Sequence, residues 1–395
     1  MKKNFLFTSE SVTDGHPDRL CDSISDAVVD RFLQKDPYSR IIAECALSKN
    51  VLFLAARFAS EVNIDIPDVA REVMAGVGYR AEDFDAANCS VLTSLIKMPT
   101  NLRAQRDEKN LSRAELDQLT VHSQVSVFGY ACTQTPELMP LPISLANRLA
   151  RELAAARRNR KMGALSPDCT VQVGVEYANG VPFRIPSITI IAGSVAQHLM
   201  EPVELRERLV SQVISPMFAG AAVQPDEDSE IFINPQGAFP KSGPGSHSGM
   251  TGRKTAADTY GAYARHSGSA LSGKDPTRID RVGAYMARYV AKNVVAAGLA
   301  EQCEVQLSYA IGHAGPISIE VQTFGTGSMD EQEISRRVGA VFDFRLGAII
   351  REFNLRHLPG LHPAGFYQNL PVNGHFGGSG KQLPWENTDK TQALR

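Results

Sequence analysis

Residues 171–191 read VQVGVEYANGVPFRIPSITII, and this stretch decides the class of fold. From Val171 to Tyr177, apolar side chains alternate with polar or small ones, which is the two-residue period of a strand with one buried face. Asn179-Gly180 comes next, and this pair favours a tight turn in which both residues have positive φ. A second apolar run then occupies residues 185–191. The stretch therefore predicts an antiparallel β-hairpin.

Strand and helix periods recur on both sides of this hairpin. Leu20, Ile24 and Phe32 mark one face of a first helix. Pro17 suits the first turn of that helix, because the N–H that proline lacks would be unpaired there. Further strands are predicted at 41–47, 51–58, 231–233, 305–311 and 317–324, and further helices at 203–214, 279–299 and 331–353.

These elements fall into three successive blocks of the chain, at 1–105, 115–236 and 237–395. Each block mixes strands with helices, and no block is purely helical or purely extended. The sequence therefore predicts an α+β fold of three similar α/β units, and the structural domains are expected to interleave the three segments.

Charge and composition exclude several classes of protein. The 395 residues include 41 lysines and arginines and 43 aspartates and glutamates, which gives a net charge of -2. Proteins dedicated to nucleic acids usually carry a basic excess, so no nucleic-acid partner is expected. Apolar runs stay below the roughly 18–20 residues of a membrane span, and the N-terminus lacks the apolar core of a signal peptide. A cytoplasmic protein without a membrane partner is expected.

The cysteines give no sign of a metal or disulfide framework. None of them forms a Cys-x-x-Cys pair, and a structural zinc site or a disulfide scaffold needs clustered cysteines. Free and mostly buried thiols are predicted. The six positions are Cys21, Cys45, Cys89, Cys132, Cys169 and Cys303.

Three stretches break the alternation of strands and helices. The polar stretch 97–119 holds Ser112 and Glu115 at the spacing of a capping box, which predicts a short helix there. The stretches 236–254 and 373–380 are rich in glycine, and loops of this kind often carry function. For 373–380 alone, a plain connecting loop is the favoured interpretation.

The first motif that can carry chemistry is Gly15-His16-Pro17-Asp18-Arg19, where a loop enters the first helix. Free N–H groups and the helix dipole favour a bound anion at such a point. His16 can donate to a phosphate oxygen, and Asp18 can hold magnesium, which prefers carboxylate and phosphate oxygens. The plain alternative is an ordinary capped helix start.

A second motif lies in the glycine-rich stretch 243–254, which ends in Arg253-Lys254. Glycines let a backbone approach a ligand closely, and the two cations supply charge for phosphates. The spacing matches neither a Walker loop nor a dinucleotide-binding fingerprint. A flexible surface loop with two solvated cations is the alternative.

A third motif, at 267–281, again combines glycines with charge and leads into the helix predicted at 279–299. Lys274 and Arg278 are followed by Asp280, and two cations with a carboxylate at a helix start suit a metal-bound polyphosphate. Each motif alone has a plain structural explanation, but three of them in one chain favour a phosphate site.

Together these motifs closely resemble the S-adenosylmethionine synthetase (methionine adenosyltransferase) family, over nearly the whole chain. The stretches that carry the resemblance are Phe7-Thr8-Ser9-Glu10-Ser11-Val12, Gly15-His16-Pro17-Asp18, Phe232-Ile233-Asn234-Pro235, Thr251-Gly252-Arg253-Lys254, Asp258-Thr259-Tyr260-Gly261, Ser272-Gly273-Lys274-Asp275-Pro276, Ala287-Arg288-Tyr289-Val290-Ala291-Lys292, Gly374-His375-Phe376-Gly377 and Pro384-Trp385-Glu386.

The resemblance implies a fold and a reaction. Three similar α/β domains in a pseudo-threefold arrangement are implied, in a homodimer or a dimer of dimers with active sites between subunits. Methionine sulfur attacks C5′ of ATP, the whole triphosphate leaves, and it is then split into pyrophosphate and phosphate. Mg²⁺ and K⁺ assist. Positioning and stabilisation of a large leaving anion are the physical tasks of such a site.

The resemblance also carries roles onto matching residues of this sequence. Catalytic roles are implied for His16, Lys274 and Arg253. The phosphates of ATP would be bound by His16, Arg19, Arg253, Lys254, Lys274 and Arg278. Asp18 and Asp280 match magnesium ligands, Glu44 matches the potassium-site glutamate, and Glu10 matches an acid near the phosphates and metal.

The part of the site that would bind the amino acid departs from the family pattern. Arg57 stands where the family has a glutamate, and Ser123 and His247 stand where it has aspartates. Met98 replaces a glutamine of a mobile loop, and Thr170 replaces a lysine near the reacting centre. Arg57, Met98, Ser123 and His247 are therefore the residues expected to shape the acceptor pocket.

These replacements change the local charge by about +3 relative to the family pattern, with histidine taken as neutral. Since an ammonium group would lose its acidic partners, we hypothesise that methionine binds poorly and that a more anionic acceptor, such as a carboxylic acid or a phosphate, fits better. Three interpretations stay open: synthesis of S-adenosylmethionine, transfer of adenosyl to another acceptor or to water, and a non-catalytic ATP-binding partner subunit.

Overall fold

The computed structural model describes residues 4–194, 200–239, 242–378 and 383–395. Within these ranges, eleven strands form three sheets. The strands are β1 (Phe5–Val12), β2 (Arg40–Ser48), β3 (Val51–Ala59), β4 (Ser90–Lys97), β5 (Val125–Cys132), β6 (Leu165–Ala178), β7 (Val181–Ser194), β8 (Glu230–Ile233), β9 (Gly249–Met250), β10 (Gln302–Tyr309) and β11 (Ser318–Gln322).

Three long helices and a set of shorter ones surround these strands. The α-helices are α1 (Pro17–Lys35), α2 (Ile66–Val77), α3 (Arg113–Leu116), α4 (Leu141–Arg158), α5 (Pro202–Leu209), α6 (Ser215–Phe218), α7 (Thr255–Asp258), α8 (Ile279–Ala296), α9 (Glu331–Val341), α10 (Leu346–Phe353), α11 (Leu358–Leu361), α12 (Leu370–Asn373) and α13 (Thr391–Leu394).

Each sheet is named here after a feature that defines it. The hairpin sheet has the strand order β1-β6-β7-β8, the β2 sheet has the order β4-β3-β2-β9, and the β10 sheet has the order β11-β10-β5. One long helix packs on each sheet: α4 on the hairpin sheet, α1 on the β2 sheet and α8 on the β10 sheet. The α+β class and the three α/β units predicted from the sequence are therefore confirmed.

The hairpin predicted from residues 171–191 is present. Strands β6 and β7 pair antiparallel, and the connecting residues Asn179 and Gly180 have φ values of 53° and 83°. Both values lie in the left-handed region that this type of two-residue turn requires. Val171, Val173 and Val175 are buried against α4, as the alternation predicts.

The sheets combine strands from different parts of the sequence. Strand β1 pairs with β6, β9 pairs with β2, and β5 pairs with β10, so each sheet takes strands from two of the three sequence segments. The boundaries at 105, 115 and 237 stay a prediction. The pairing of β9 with β2 has a direct consequence for function, because it brings the second glycine-rich motif beside the start of α1.

One predicted helix is wrong in its length. Residues 331–353 form two helices, α9 and α10, separated by an extended link. Phe342 and Phe344 are both buried in that link, and burial of alternate residues requires extended backbone. The Asp343 carboxylate accepts a hydrogen bond from the Arg345 N–H at 3.2 Å and so fixes the start of α10.

Two smaller predictions are confirmed. Ser112 Oγ accepts from the Glu115 N–H at 3.3 Å while the Glu115 carboxylate accepts from the Ser112 N–H at 2.8 Å, which is the capping box of α3. All six cysteines are free and buried. Among the helices that the structure describes, none is long and apolar enough to cross a membrane.

Candidate active site

The start of α1 is held tightly against the hairpin sheet. His16 is the N-cap residue, and its Nδ1 accepts from the Asp18 N–H at 3.2 Å. The preceding Gly15 has no room for a side chain, since a Cβ there would lie 2.3 Å from the Cβ of Pro167. Pro17 occupies the first turn, as the sequence predicts. The first motif is therefore a rigid helix start.

Asp18 lies among two cations of the second motif. Its carboxylate is 2.8 Å from Lys254 Nζ and 3.5 Å from an Arg253 guanidinium nitrogen, and it accepts from the Met250 N–H at 3.0 Å. Burial alone would raise the pKa of Asp18, but the hydrogen bond and charge of Lys254, the Met250 N–H and His16 together outweigh burial and lower that pKa. We call His16, Asp18, Arg253 and Lys254 the phosphate cluster.

His247 and Asp168 extend this cluster. His247 Nε2 is 2.8 Å from the Asp168 carboxylate, which also accepts from the Gly243 N–H at 2.7 Å. The rings of His16 and His247 lie 5.0 Å apart, centroid to centroid. The hydrogen bond with Asp168 raises the pKa of His247, whereas burial lowers the pKa of His16 to about 4.

The hydrogen bond at His16 decides whether this side chain can bind a metal ion. Ligand atoms of His16, Asp168 and His247 lie within 4.8 Å of one another, which is close enough for a shared metal ion. However, His16 Nδ1 accepts from the Asp18 N–H, so the neutral ring carries its hydrogen on Nε2. In the neutral ring this nitrogen is a hydrogen-bond donor and has no lone pair to offer a metal.

The third motif builds a second group of charges at the start of α8. Lys274 Nζ is 3.6 Å from the Asp280 carboxylate, and burial lowers the pKa of Lys274. Gly273 has a φ of +76°, and a Cβ there would lie 1.9 Å from the carbonyl oxygen of Ala43, so the loop is pressed against β2. We call Glu44, Lys274, Arg278 and Asp280 the α8 cluster.

The two clusters lie at different points along β2. Met250, next to the phosphate cluster, pairs with Ala46, and Lys274 bridges to Ile42. Four residues of strand separate those two contacts, which corresponds to about 13 Å at about 3.3 Å per residue. The two predicted magnesium ligands, Asp18 and Asp280, therefore belong to different clusters.

The four predicted acceptor residues are also divided between places. Arg57 and Met98 line one cavity, and an Arg57 guanidinium nitrogen lies 3.9 Å from Met98 Sδ. His247 lies instead beside His16, and Ser123 is half-buried and not among the residues lining that cavity. The expectation of one pocket shaped by all four residues is not met within a single chain.

Arg19 lies inside the fold. Its side chain is 1 % exposed and forms ion pairs with Asp22 and Asp258. A guanidinium enclosed by two carboxylates is compensated already, and the pair with Asp258 links α1 to α7. The assignment of Arg19 to the ATP phosphates stays a prediction.

Two further candidates lie on open sheet faces. Glu10 is exposed on β1, opposite Gln172 of β6. Glu44 is exposed on β2, and its charge raises the pKa of Lys274, against the larger lowering effect of burial. Thr170 lies on β6, opposite Val12 of β1. It is half-buried, at the same end of the hairpin sheet as the phosphate cluster.

Sequence reasoning missed two residues of the site. Asp168 is 6 % exposed and is hydrogen-bonded to His247. In the sequence it could have been noticed as a lone acidic residue at the start of an apolar strand. Arg40 lines the cavity with Arg57. In the sequence it could have been noticed as a cationic residue at the start of a buried strand. Both signals are weak alone, because the partners lie far away in the sequence.

Cations and carboxylates at the starts of α1 and α8 have the chemistry of a protein that binds a metal-bound polyphosphate. Comparison with known proteins agrees with this class. Models of the S-adenosylmethionine synthetase N-terminal, central and C-terminal domains match residues 4–99, 118–239 and 242–387. The chain belongs to the S-adenosylmethionine synthetase family.

Relatives match along the whole chain. An S-adenosylmethionine synthase of Synechococcus elongatus is 44 % identical, and the alignment covers 100 % of this chain and 98 % of the relative. One from Gloeothece citriformis is 43 % identical over 100 % of this chain and 97 % of the relative. One from Thermosynechococcus vestitus is 43 % identical, and the alignment covers 99 % of this chain and 97 % of the relative.

Proposed function

We propose that this protein transfers the adenosyl group of ATP to the sulfur of a thioether, and that methionine is the reference acceptor because the relatives are named S-adenosylmethionine synthases. A sulfur lone pair forms the S–C5′ bond, and the C5′–O bond breaks with its electron pair on the triphosphate. Water then splits the triphosphate into pyrophosphate and phosphate. The observation that carries this proposal is the pairing of helix starts with cations in both clusters.

The side chains of the two clusters have distinct tasks in the proposed reaction. His16 donates its Nε2 hydrogen to the leaving phosphate oxygen, since its low pKa keeps the ring neutral at pH 7. Arg253, Lys254 and Lys274 neutralise the triphosphate. Lys254 and Arg253 already lie beside Asp18, so a bound polyphosphate would interact with cations that the fold holds in place.

The carboxylates of the two clusters fit the ions that the resemblance implies. Asp18 and Asp280 offer oxygen ligands next to phosphate-binding cations, which is the donor set that Mg²⁺ prefers. Glu44, exposed on β2, offers an oxygen to K⁺, and Glu10 is a further possible metal ligand on β1. Bound Mg²⁺ would supply positive charge to the leaving triphosphate.

We also propose that the active form is a homodimer. The open face of the β2 sheet exposes a row of apolar side chains: Leu92 pairs with Phe53, Phe53 with Ala46, and Ala46 with Met250. Leu92, Phe53 and Met250 are 55 %, 48 % and 51 % exposed. A contiguous apolar sheet face of this kind marks an interface.

A twofold axis through this face would complete the site. The apolar row ends beside the phosphate cluster, and the α8 cluster lies about 13 Å further along β2. A twofold axis between them places the phosphate cluster of one protomer opposite the α8 cluster of its partner. Each dimer then holds two sites, and Asp18 and Asp280 of different chains meet in each.

One assay tests the proposed reaction. Purified protein is incubated with ATP, Mg²⁺ and K⁺, with and without a thioether acceptor, and the products are identified by mass. An adenosyl sulfonium product together with pyrophosphate and phosphate is the expected result. Triphosphate cleavage that does not depend on an acceptor would favour hydrolysis by water, and no ATP binding at all would favour a non-catalytic subunit.

A further inference from the structure

Three arginines line a cavity of about 180 Å³ at the end of β2. Arg40 comes from β2, Arg57 from β3, and Arg278 from the start of α8. In the described part of the chain, none of the three has a carboxylate oxygen within 4.0 Å. Arg40 Nε is buried without a hydrogen-bond partner. This arginine pocket therefore concentrates an excess of positive charge.

The single carboxylate on the wall, Asp275, compensates only part of this positive charge. Asp275 accepts from the Ile41 N–H at 2.7 Å and from the Thr277 N–H at 2.7 Å, so its oxygens hold the loop before α8. With three arginines and one aspartate, the formal charge of the lining is +2. Burial, with Arg40 and Arg278 nearby, also lowers the pKa of His122 on the same wall.

The remaining wall is suited to an aliphatic thioether. Ile42 and the thioether side chain of Met98 lie beside the arginines. A volume of 180 Å³ corresponds to about six water molecules at about 30 Å³ each, so the ligand is small. Asp275, the one carboxylate of this wall among the described residues, already accepts from two backbone N–H groups.

We propose that the arginine pocket selects an acceptor that carries a carboxylate and a thioether but no ammonium group. The inference rests on the proposed adenosyl transfer and names its substrate class. The reaction balances as before: sulfur donates a lone pair to C5′, the C5′–O pair leaves with the triphosphate, and no proton moves at the acceptor. Methionine is disfavoured because its ammonium meets a pocket of net charge +2.

Three acceptors of matched size test the proposal. They are 4-(methylthio)butanoate, which has the skeleton of methionine without the amine, L-methionine itself, and methionine methyl ester, which keeps the ammonium and loses the carboxylate. The proposal expects kcat/KM at least about tenfold higher for the butanoate than for methionine, and lowest for the ester. Product masses identify the sulfonium that each acceptor forms.

Charge reversal at Arg57 supplies the second arm of the test. Arg57 is exposed on the sheet face, so Arg57→Glu is compatible with the fold, which melting temperature and oligomer size would verify. This variant should lower kcat/KM for the butanoate at least about tenfold and raise it for methionine. Arg57→Lys should keep the preference for the butanoate. Arg148→Glu, the same charge change on the exposed surface of α4, should leave both values unchanged.

The outcomes separate the two proposals. If the wild type prefers methionine and Arg57→Glu leaves the ratio unchanged, the anionic-acceptor inference is wrong while adenosyl transfer stands. If no acceptor gives a sulfonium product, both proposals are wrong.

Discussion

At the scale of residues, α1 buries four carboxylates spaced four residues apart, and Asp22, Asp26 and Asp30 follow Asp18 along the helix. Asp22 accepts from the Gly252 N–H at 2.7 Å, and Asp26 makes two hydrogen bonds of 2.8 Å to the Arg281 guanidinium. Within the described residues Asp30 forms no ion pair, and it accepts instead from the N–H groups of residues 367 and 368, at 3.0 Å each. Each carboxylate ties α1 to another part of the chain.

Asp30 gives a prediction about pH. Burial raises the pKa of Asp30 to about 7, so the folded chain holds a proton that the unfolded chain releases near pH 4. The unfolding free energy therefore falls through this group as pH rises from about 4 to about 7. In Asp30→Asn the group cannot ionise, so stability relative to the parent should rise by about 3 kcal/mol between pH 5 and pH 8.

Urea denaturation of both proteins at several pH values measures this difference. If the unfolding free energies of parent and variant run parallel from pH 5 to pH 8, Asp30 does not hold its proton in the folded state.

Single residues show what the sequence can and cannot predict about the site. The capping box of Ser112 and Glu115 and the turn at Asn179-Gly180 were predictable, because each interaction spans a few residues. The burial of Arg19 was not, since its partner Asp258 is 239 positions away. Charge type alone cannot distinguish a cation that binds phosphate from one that neutralises a buried acid.

At the scale of elements, helix α8 lies unusually close to strand β5. A Cβ added at Gly129 would lie 1.9 Å from the backbone carbon of Ala287 and 2.0 Å from its oxygen. The strand and the helix touch through backbone at this point, and Asp280 of the α8 cluster lies in the first turn of α8. The distance between strand and helix therefore also sets the position of Asp280.

A matched pair of glycine substitutions tests this contact. Gly129→Ala should lower the unfolding free energy by about 3 kcal/mol or more, because backbone must shift to admit the methyl group. Gly76→Ala in α2 meets no atom within 4 Å and should raise it by about 0.5–1 kcal/mol, since alanine is the better helix former. Urea denaturation of both variants measures the two changes. A Gly129→Ala protein as stable as the parent would show that β5 and α8 are not in backbone contact.

Helices and strands were predictable from the sequence where a single hydrophobic periodicity continued through the whole element. The hairpin and the long helices α1 and α8 follow such patterns. The link between α9 and α10 was not found, because Phe342 and Phe344 are also compatible with a helical pattern until the surrounding core is known. Strand β4 exposes nearly all of its side chains, so its sequence has no alternation of buried and exposed positions.

At the scale of the whole molecule, the separation of the two clusters along β2 predicts complementation between chains. Asp18→Asn and Asp280→Asn should each abolish activity, because each removes one proposed magnesium ligand from both sites. In a heterodimer of the two variants, one site keeps both aspartates and the other keeps neither. Unfolding and refolding an equal mixture should therefore restore activity to about one quarter of the wild-type value.

Activity measurements on the refolded mixture and on each refolded variant alone check this expectation. Phe53→Glu, which places a charge in the apolar row, should give monomers in light scattering and no activity. A mixture that stays inactive although heterodimers form would mean that each site draws both aspartates from one chain.

The six buried cysteines provide a built-in reporter of local opening. Each sheet contains at least one of them: Cys45 in the β2 sheet, Cys169 in the hairpin sheet, and Cys132 and Cys303 in the β10 sheet. Burial raises the pKa of Cys169 to about 12, so its thiol is unreactive until its surroundings open. The order in which the cysteines react with an alkylating reagent therefore records the order in which the three units come apart.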